Sequence, residues 1–184
     1  VGCLGPEASP SLRQEVIHHD MWKLVERFSR GGECVRTDFE TIIHQCRKRK
    51  WSDQVAVILD FMQRLGTEGF LEYDVLPKPD LLPDIDTYRT AMTVYFSMDL
   101  PDDAWKLYQE VHEGDFALDE DFISFVIQGC LECGRADLAS ECYWNLRHED
   151  RLPNRTMCEG LMRGLGREAA VGLEILKDII NVSS

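Results

Sequence analysis

Apolar residues recur along this chain at the spacing of amphipathic helices, and the helices come in pairs. Four groups, Phe39/Ile42/Ile43/Cys46, Tyr88/Ala91/Met92/Tyr95, Ile123/Val126/Ile127/Cys130 and Cys158/Leu161/Met162/Leu165, each fall at i, i+3, i+4, i+7. That is one face of an α-helix. A second stripe follows the first three groups at an offset of 16 residues: Val55/Ile58/Leu59/Met62, Ala104/Leu107/Tyr108/Val111 and Ala139/Cys142/Tyr143/Leu146. The first helices start 49, 35 and 35 residues apart. Two helices joined by a short turn make an αα-hairpin. A hairpin with a stripe on each helix buries both only by stacking on its neighbours.

Boundary residues agree with this period. Thr37-Asp38-Phe39-Glu40 has capping-box spacing, Ser52 is placed to cap the second helix of its unit, and Pro101 suits a first helical turn. Gly134 closes a helix ahead of Arg135-Ala136-Asp137. The 49-residue gap holds one period plus 14 residues, and its surplus runs from Gly66 to Pro83. Pro77, Pro79 and Pro83 preclude a helix there, so an inserted loop is expected. Residues 10–30 carry Ile17, Met21, Leu24 and Phe28 on one helical face, ended by Gly31-Gly32. At the other end, Gly164 and Gly166 come early, and a final helix carries Ala169, Leu173, Leu176 and Ile180.

The predicted fold is therefore all-α: a right-handed α-solenoid of about four stacked helix-turn-helix repeats with an N-terminal capping helix, in a single domain over 1–184. Its parts are the N-terminal helix (10–32), repeat 1 (36–66), the Pro-rich insertion (67–83), repeat 2 (84–118), repeat 3 (119–152) and a degenerate terminal repeat (153–180). Atypical end units suit a solenoid that terminates in water.

Charge narrows the function. With 33 acidic against 20 basic residues the formal net charge is −13, which opposes binding a polyanion through Lys and Arg. The seven cysteines are odd in number and scattered, as reduced core thiols would be. No apolar run approaches the ~18 residues that span a bilayer. The chain begins at Val1 rather than Met, as a processed precursor or a partial sequence would. The triplets Asn154-Arg155-Thr156 and Asn181-Val182-Ser183 are glycosylation sequons, which arise often by chance.

Each candidate motif has a simpler reading beside it. Arg47-Lys48-Arg49-Lys50 is either a contact for phosphate or an acidic partner, or a set of cations favoured by a helix C-terminus. Asp99 to Asp121 is either a docking surface for a basic partner or a solvated face. Cys130-x-x-Cys133 lies inside a helix with Cys130 in the apolar stripe, so core packing outweighs zinc or redox chemistry. His18 and His19 are adjacent and point in different directions on a helix. No phosphate loop, HExxH, GxSxG or catalytic carboxylate pair is present. No catalytic residue, metal or cofactor is predicted, and the chain is read as a non-enzyme.

Pro83-Asp84-Ile85-Asp86-Thr87-Tyr88 resembles the Pro-Asp-x-x-Thr-Tyr entry of a pentatricopeptide repeat. Cys133-Gly134-Arg135-Ala136-Asp137-Leu138-Ala139 resembles that family's inter-helix turn, Met62 with Gly66 its helix ending, and Pro153-Asn154 its next entry. The resemblance spans about 33–165 and marks a divergent, pentatricopeptide-repeat-like protein. A tetratricopeptide array is the near neighbour, but its period is 34 residues. The resemblance implies an organellar protein of plastid or mitochondrion, in a family that usually binds single-stranded RNA at one base per repeat. It also implies where the readers stand: after the entry aromatic, at the end of the repeat, and at a sandwiching aliphatic two before the aromatic.

Those positions mostly depart from the family pattern here. Glu40, Arg89, Ser124 and Glu159 follow the aromatic position, and Thr37, Asp86, Asp121 and Thr156 stand where an aliphatic is needed. Ser124 with Asn154 resembles one working pair, while Arg89 with Asp119 reads better as an ion pair. The expected function is a non-enzymatic protein-binding scaffold, an accessory structural subunit of a larger organellar assembly (photosystem or other membrane complex, or ribosome). Such a subunit is soluble or peripherally attached and binds protein subunits rather than nucleic acid. Its expected contacts are Phe70, Leu71, Tyr73, Val75 and Leu76 of the insertion, unless these fold back onto the hairpins, and the acidic Asp102, Asp103, Asp119, Glu120 and Asp121. The alternative is an RNA-binding module of organellar RNA processing or translation, using Ser124 and Asn154 on a base and Arg47, Lys48, Arg49 and Lys50 on phosphates.

Overall fold

The computed structural model of the chain describes residues 7–30, 33–70, 74–114, 116–149, 151, 153–164, 175 and 177, with the side chains of 28 and 29 left aside. Eight α-helices account for most of them: α1 (Pro10–Ser29), α2 (Arg36–Arg49), α3 (Val55–Thr67), α4 (Ile85–Ser97), α5 (Pro101–Glu113), α6 (Glu120–Glu132), α7 (Ala136–His148) and α8 (Arg155–Gly164). Short 3₁₀ turns stand at Ser52–Gln54 and Pro79–Leu81. Among the described residues the only β feature is one bridge between Phe70 and Val75.

All residues of the predicted stripes on α2 to α7 are buried. On α8 Cys158 and Leu161 are buried and Met162 is half-buried, while Leu165 lies outside the described residues. The chain forms two compact units, Val1–Met98 and Asp99–Ser184. In the first, α2 packs against α1, α3 and α4. In the second, α6 packs against α7 and α8, and α7 against α8. In each unit, therefore, the first helix of one hairpin lies on the first helix of the next, the neighbour contact a stacked repeat requires.

The period is written in the backbone as well as in the stripes. Asp84, Asp119 and Asn154 stand 35 residues apart, and each accepts a hydrogen bond from the third N–H beyond it: Thr87 at 2.9 Å, Phe122 at 2.7 Å and Met157 at 2.9 Å. These oxygens satisfy helix-end donors that have no partner inside the helix. The turn between paired helices also repeats. Lys50, Asp99 and Gly134 all have positive φ, of 58, 58 and 70°, and stand 49 and 35 residues apart. After two of these turns a backbone bond closes back onto the helix, Trp51 N–H to Cys46 O at 2.9 Å and Arg135 N–H to Cys130 O at 2.8 Å, the closure of a Schellman-type helix end.

Several local expectations are corrected. Helix α2 begins two residues earlier than the Thr37 box implies: Val35 flanks it, and the Asp38 carboxylate accepts from the Val35 N–H at 3.0 Å. Ser52 is not the cap of α3, because a 3₁₀ turn intervenes and no side-chain cap bond forms. On α1 the buried residues are Ile17, Met21 and Val25, with Leu24 half-buried. The final helix predicted on Ala169, Leu173, Leu176 and Ile180 lies outside the described residues, where only Ile175, buried, and Lys177 are described.

Arg36 holds the end of the insertion. Its guanidinium donates to Leu82 O at 2.8 Å and Asp80 O at 3.0 Å and pairs with the Asp84 carboxylate. One side chain thus satisfies two loop carbonyls and ties them to the start of α4. Gly66 admits the Leu82 side chain, which a Cβ there would meet at 2.5 Å, and Lys78 N–H reaches Leu65 O at 3.0 Å.

Candidate functional site

The positions at which the sequence resemblance would place base readers lie on or at the start of the first helices of the hairpins, and most of these side chains are already engaged. Glu40 on α2 accepts a hydrogen bond from the buried Thr87 hydroxyl at 3.2 Å, a contact between successive repeats. Glu159 on α8 pairs with Arg155 at 2.7 Å, one turn away. Asp119 and Asn154 are helix caps. Asn154 uses its carbonyl oxygen for Met157 N–H, and its amide stands 3.5 Å from the Glu120 carboxylate. Of the proposed pair, Ser124 is half-buried and Asn154 spends its acceptor on the helix end. The positions of the missing aliphatics, Thr37, Asp86, Asp121 and Thr156, are all exposed and carry polar side chains.

The basic cluster splits in two. Arg49 lies over the Trp51 ring at 5.0 Å, and Trp51 is buried, so this pair belongs to the turn. Lys50 takes the left-handed position after α2. Arg47 and Lys48 are exposed and, among the described residues, form no ion pair; with Thr41, His44 and Gln45 they line a shallow hollow of 510 Å³ on α2. Four cations at a helix C-terminus also sit where the macrodipole favours them.

The acidic candidates are partly consumed within their own unit. Asp102 pairs with Arg135, which also holds Asp137 at 2.8 Å, and Asp103 pairs with Lys106 at 2.7 Å. The Arg135 guanidinium holds the Asp137 carboxyl below its usual range. Glu120 and Asp121 remain exposed. Charge differs between the units: 1–98 holds 12 basic and 15 acidic residues, net −3, and 99–184 holds 8 and 18, net −10.

The insertion folds back rather than standing free. Phe70 and Val75 exchange two backbone bonds, at 2.8 and 3.2 Å, and Val75 is buried. Phe70 is half-buried against Trp22 and Phe61, with ring centroids 5.1 and 4.9 Å apart. Val75 is thus a core residue and not a contact, because pairing with Phe70 turns it inward. Leu76 alone of the described set is strongly exposed, at 66%; Leu71 and Tyr73 lie outside the described residues.

Four of the described thiols are packing groups. Cys46, Cys130, Cys142 and Cys158 are buried, and burial pushes Cys46, Cys130 and Cys142 each up to about 12, so they carry little thiolate at neutral pH. No group of three or more metal-ligating side chains comes together among the described residues. Nor is any helix there long and apolar enough to cross a membrane.

No family model matches the sequence, and no curated protein is significantly similar to it. A solved structure does match: the pentatricopeptide repeat protein PPR10 from maize, with a TM-score of 0.65 at 16% identity. The match covers 90% of this chain and 22% of the maize protein. The chain therefore has the helical-repeat fold of an α-solenoid and spans about a fifth of the length of that protein.

Proposed function

We propose that this chain is a non-catalytic protein-binding scaffold, an accessory structural subunit of a larger organellar assembly. A membrane complex, photosynthetic or respiratory, and a ribosome are the assemblies this reading names. The observation that carries the reading is the fate of the side chains at the positions where the resemblance would place base readers. Asp119 and Asn154 close helix ends, Glu40 bonds to the next repeat and Glu159 pairs with Arg155. A base edge needs free donors and acceptors and an apolar wall to stack on. The net charge of −13 adds repulsion against a phosphate backbone.

One observation favours a second reading, RNA binding: Arg47 and Lys48 are exposed beside a hollow on α2. A titration with a labelled single-stranded RNA pool at about 50 mM salt separates the two. The scaffold reading expects no saturable binding, together with co-migration of the chain with a large assembly on a native gel. Saturable binding overturns it, the more so if replacing Arg47 and Lys48 by Ala flattens the log–log salt slope by about 1.4.

A further inference from the structure

A cleft of 710 Å³ opens in the first unit between α1, α3 and the start of the insertion. Helix α1 contributes Gln14, His18, Met21 and Trp22, and α3 contributes Val57, Asp60, Phe61 and Arg64, with Glu68 just past its end and Gly69 and Phe70 completing the lining. On α3 Val57, Asp60, Phe61 and Arg64 follow i, i+3, i+4 and i+7, a second face beside the core stripe. The size is that of a ligand pocket.

Three aromatic rings form its apolar part. Trp22 meets Phe61 edge-on at 5.9 Å and Phe70 at 5.1 Å, and Phe61 meets Phe70 at 4.9 Å. The Trp22 indole N–H donates to His18 Nε2 at 2.7 Å, which holds the ring in place. Against these rings stand two exposed carboxylates, Asp60 and Glu68, with no hydrogen bond or ion pair among the described residues.

Arg64 shows what this surface prefers. Asp60 and Glu68 lie four residues to either side of it, the spacing at which helical ion pairs form. Arg64 pairs with neither, and its guanidinium lies over the Phe70 ring at 5.7 Å. The aromatic face thus holds a guanidinium and leaves both carboxylates for another cation.

We propose that this cleft receives an arginine or lysine side chain from a segment of a partner protein. The aliphatic stem and cationic head lie against Trp22, beside the Phe70 ring that Arg64 covers, and Asp60 and Glu68 neutralise the charge. The partner segment is basic, complementary to these two carboxylates and to the acidic chain as a whole. The proposal rests on the protein-binding reading and names its contact.

The test uses the whole chain and peptide pools randomised except for a central Arg, Lys, Glu or Leu, with affinity read by calorimetry. The Arg and Lys pools are expected to bind about tenfold tighter than the Glu and Leu pools. Asp60→Asn with Glu68→Gln should abolish that preference, while helicity and Tm hold because both side chains are exposed. Glu120→Gln with Asp121→Asn removes as much charge elsewhere and should leave the preference intact. Arg64→Ala, which frees the Phe70 face, should raise Arg-pool affinity about threefold. Equal binding of all pools, equal losses in the two double variants, or a loss on Arg64→Ala overturns the cleft assignment. If peptides bind through Glu120 and Asp121 instead, the cleft is wrong and the scaffold reading stands. If the RNA pool binds through Arg47 and Lys48 and no peptide pool binds, both fall.

Discussion

The two units use the same repeat grammar to different ends. In Asp99–Ser184 the elements keep the 35-residue period, and one turn, closed by Gly134 at φ 70°, joins α6 to α7 with room around it for a Cβ. In Val1–Met98 the chain carries 14 further residues between α3 and α4, and both ends of that insertion are held by specific contacts. Arg36 binds the exit, Gly66 admits Leu82, and the Phe70–Val75 bridge turns the apolar end against Trp22 and Phe61. A regular repeat is stabilised by its stripes and caps, which recur. An insertion has no recurring partner, so its backbone groups need dedicated ones. The insertion also builds the aromatic side of the first unit, the unit with net charge −3 against −10 for the second.

Removing the anchor is the strongest way to break that contrast. Arg36→Ala strips two carbonyls and a carboxylate of their donor and should cost about 2–3 kcal/mol. Its effect should appear in denaturant unfolding and as new proteolytic cleavage between 74 and 83. Arg135→Ala, at an exposed pair of aspartates in the second unit, should change stability far less, with no new cleavage. Equal effects would mean that the loop does not depend on its anchor.

The two turn glycines sharpen the contrast at a lower level. Both have positive φ, but a Cβ on Gly69 would meet Val75 O at 2.4 Å, whereas one on Gly134 would meet nothing within 4 Å. Gly134→Ala should cost about 1 kcal/mol, the left-handed penalty alone. Gly69→Ala should cost roughly 2 kcal/mol, since the bridge must also shift. Thermal melts of the two variants decide this.

Alkaline pH acts unequally on the units. A thiol raised from 9.0 to about 12 binds its proton in the folded state after the unfolded chain has lost it. Its contribution is complete below pH 9 and is lost as pH rises from there toward 12, about 1.4 kcal/mol per unit of pH for each thiol. The first unit holds Cys46, and the second holds Cys130 and Cys142. Amide exchange at pH 10 should therefore show the second unit losing more protection. The smallest effect expected is a gain: Lys50→Gly relieves a left-handed non-glycine turn and should add about 0.5 kcal/mol.

Periodicity made the helices and their pairing legible, because Ile123/Val126/Ile127/Cys130 can bury together only on a helix and every such stripe on α2 to α7 lies inside. Proline spacing exposed the insertion, but not its path. Phe70 and Val75 have no period to report, and a bridge between residues five apart depends on Gly69 and on Asp74, another positive-φ residue. The cap positions were harder. Ser52 and Thr37 have the right chemistry, yet a 3₁₀ turn and an earlier helix start took their places. Asn154 was legible as a polar repeat-end residue, but whether its acceptor faces a base or its own helix is a matter of backbone geometry. The cleft on α1 and α3 went unread because its residues come from three segments, one of them the insertion.

Asn154→Asp puts the central claim to its most direct trial. Aspartate caps a helix as well as asparagine does, but it has no amide to offer a base. With Asn154 serving as the cap of α8, the variant should melt close to the parent, lowered only by the weak repulsion of the exposed Glu120 carboxylate, and show the same lack of saturable binding to the RNA pool. Saturable RNA binding by the parent that is lost in the variant, at an unchanged Tm, would contradict the account.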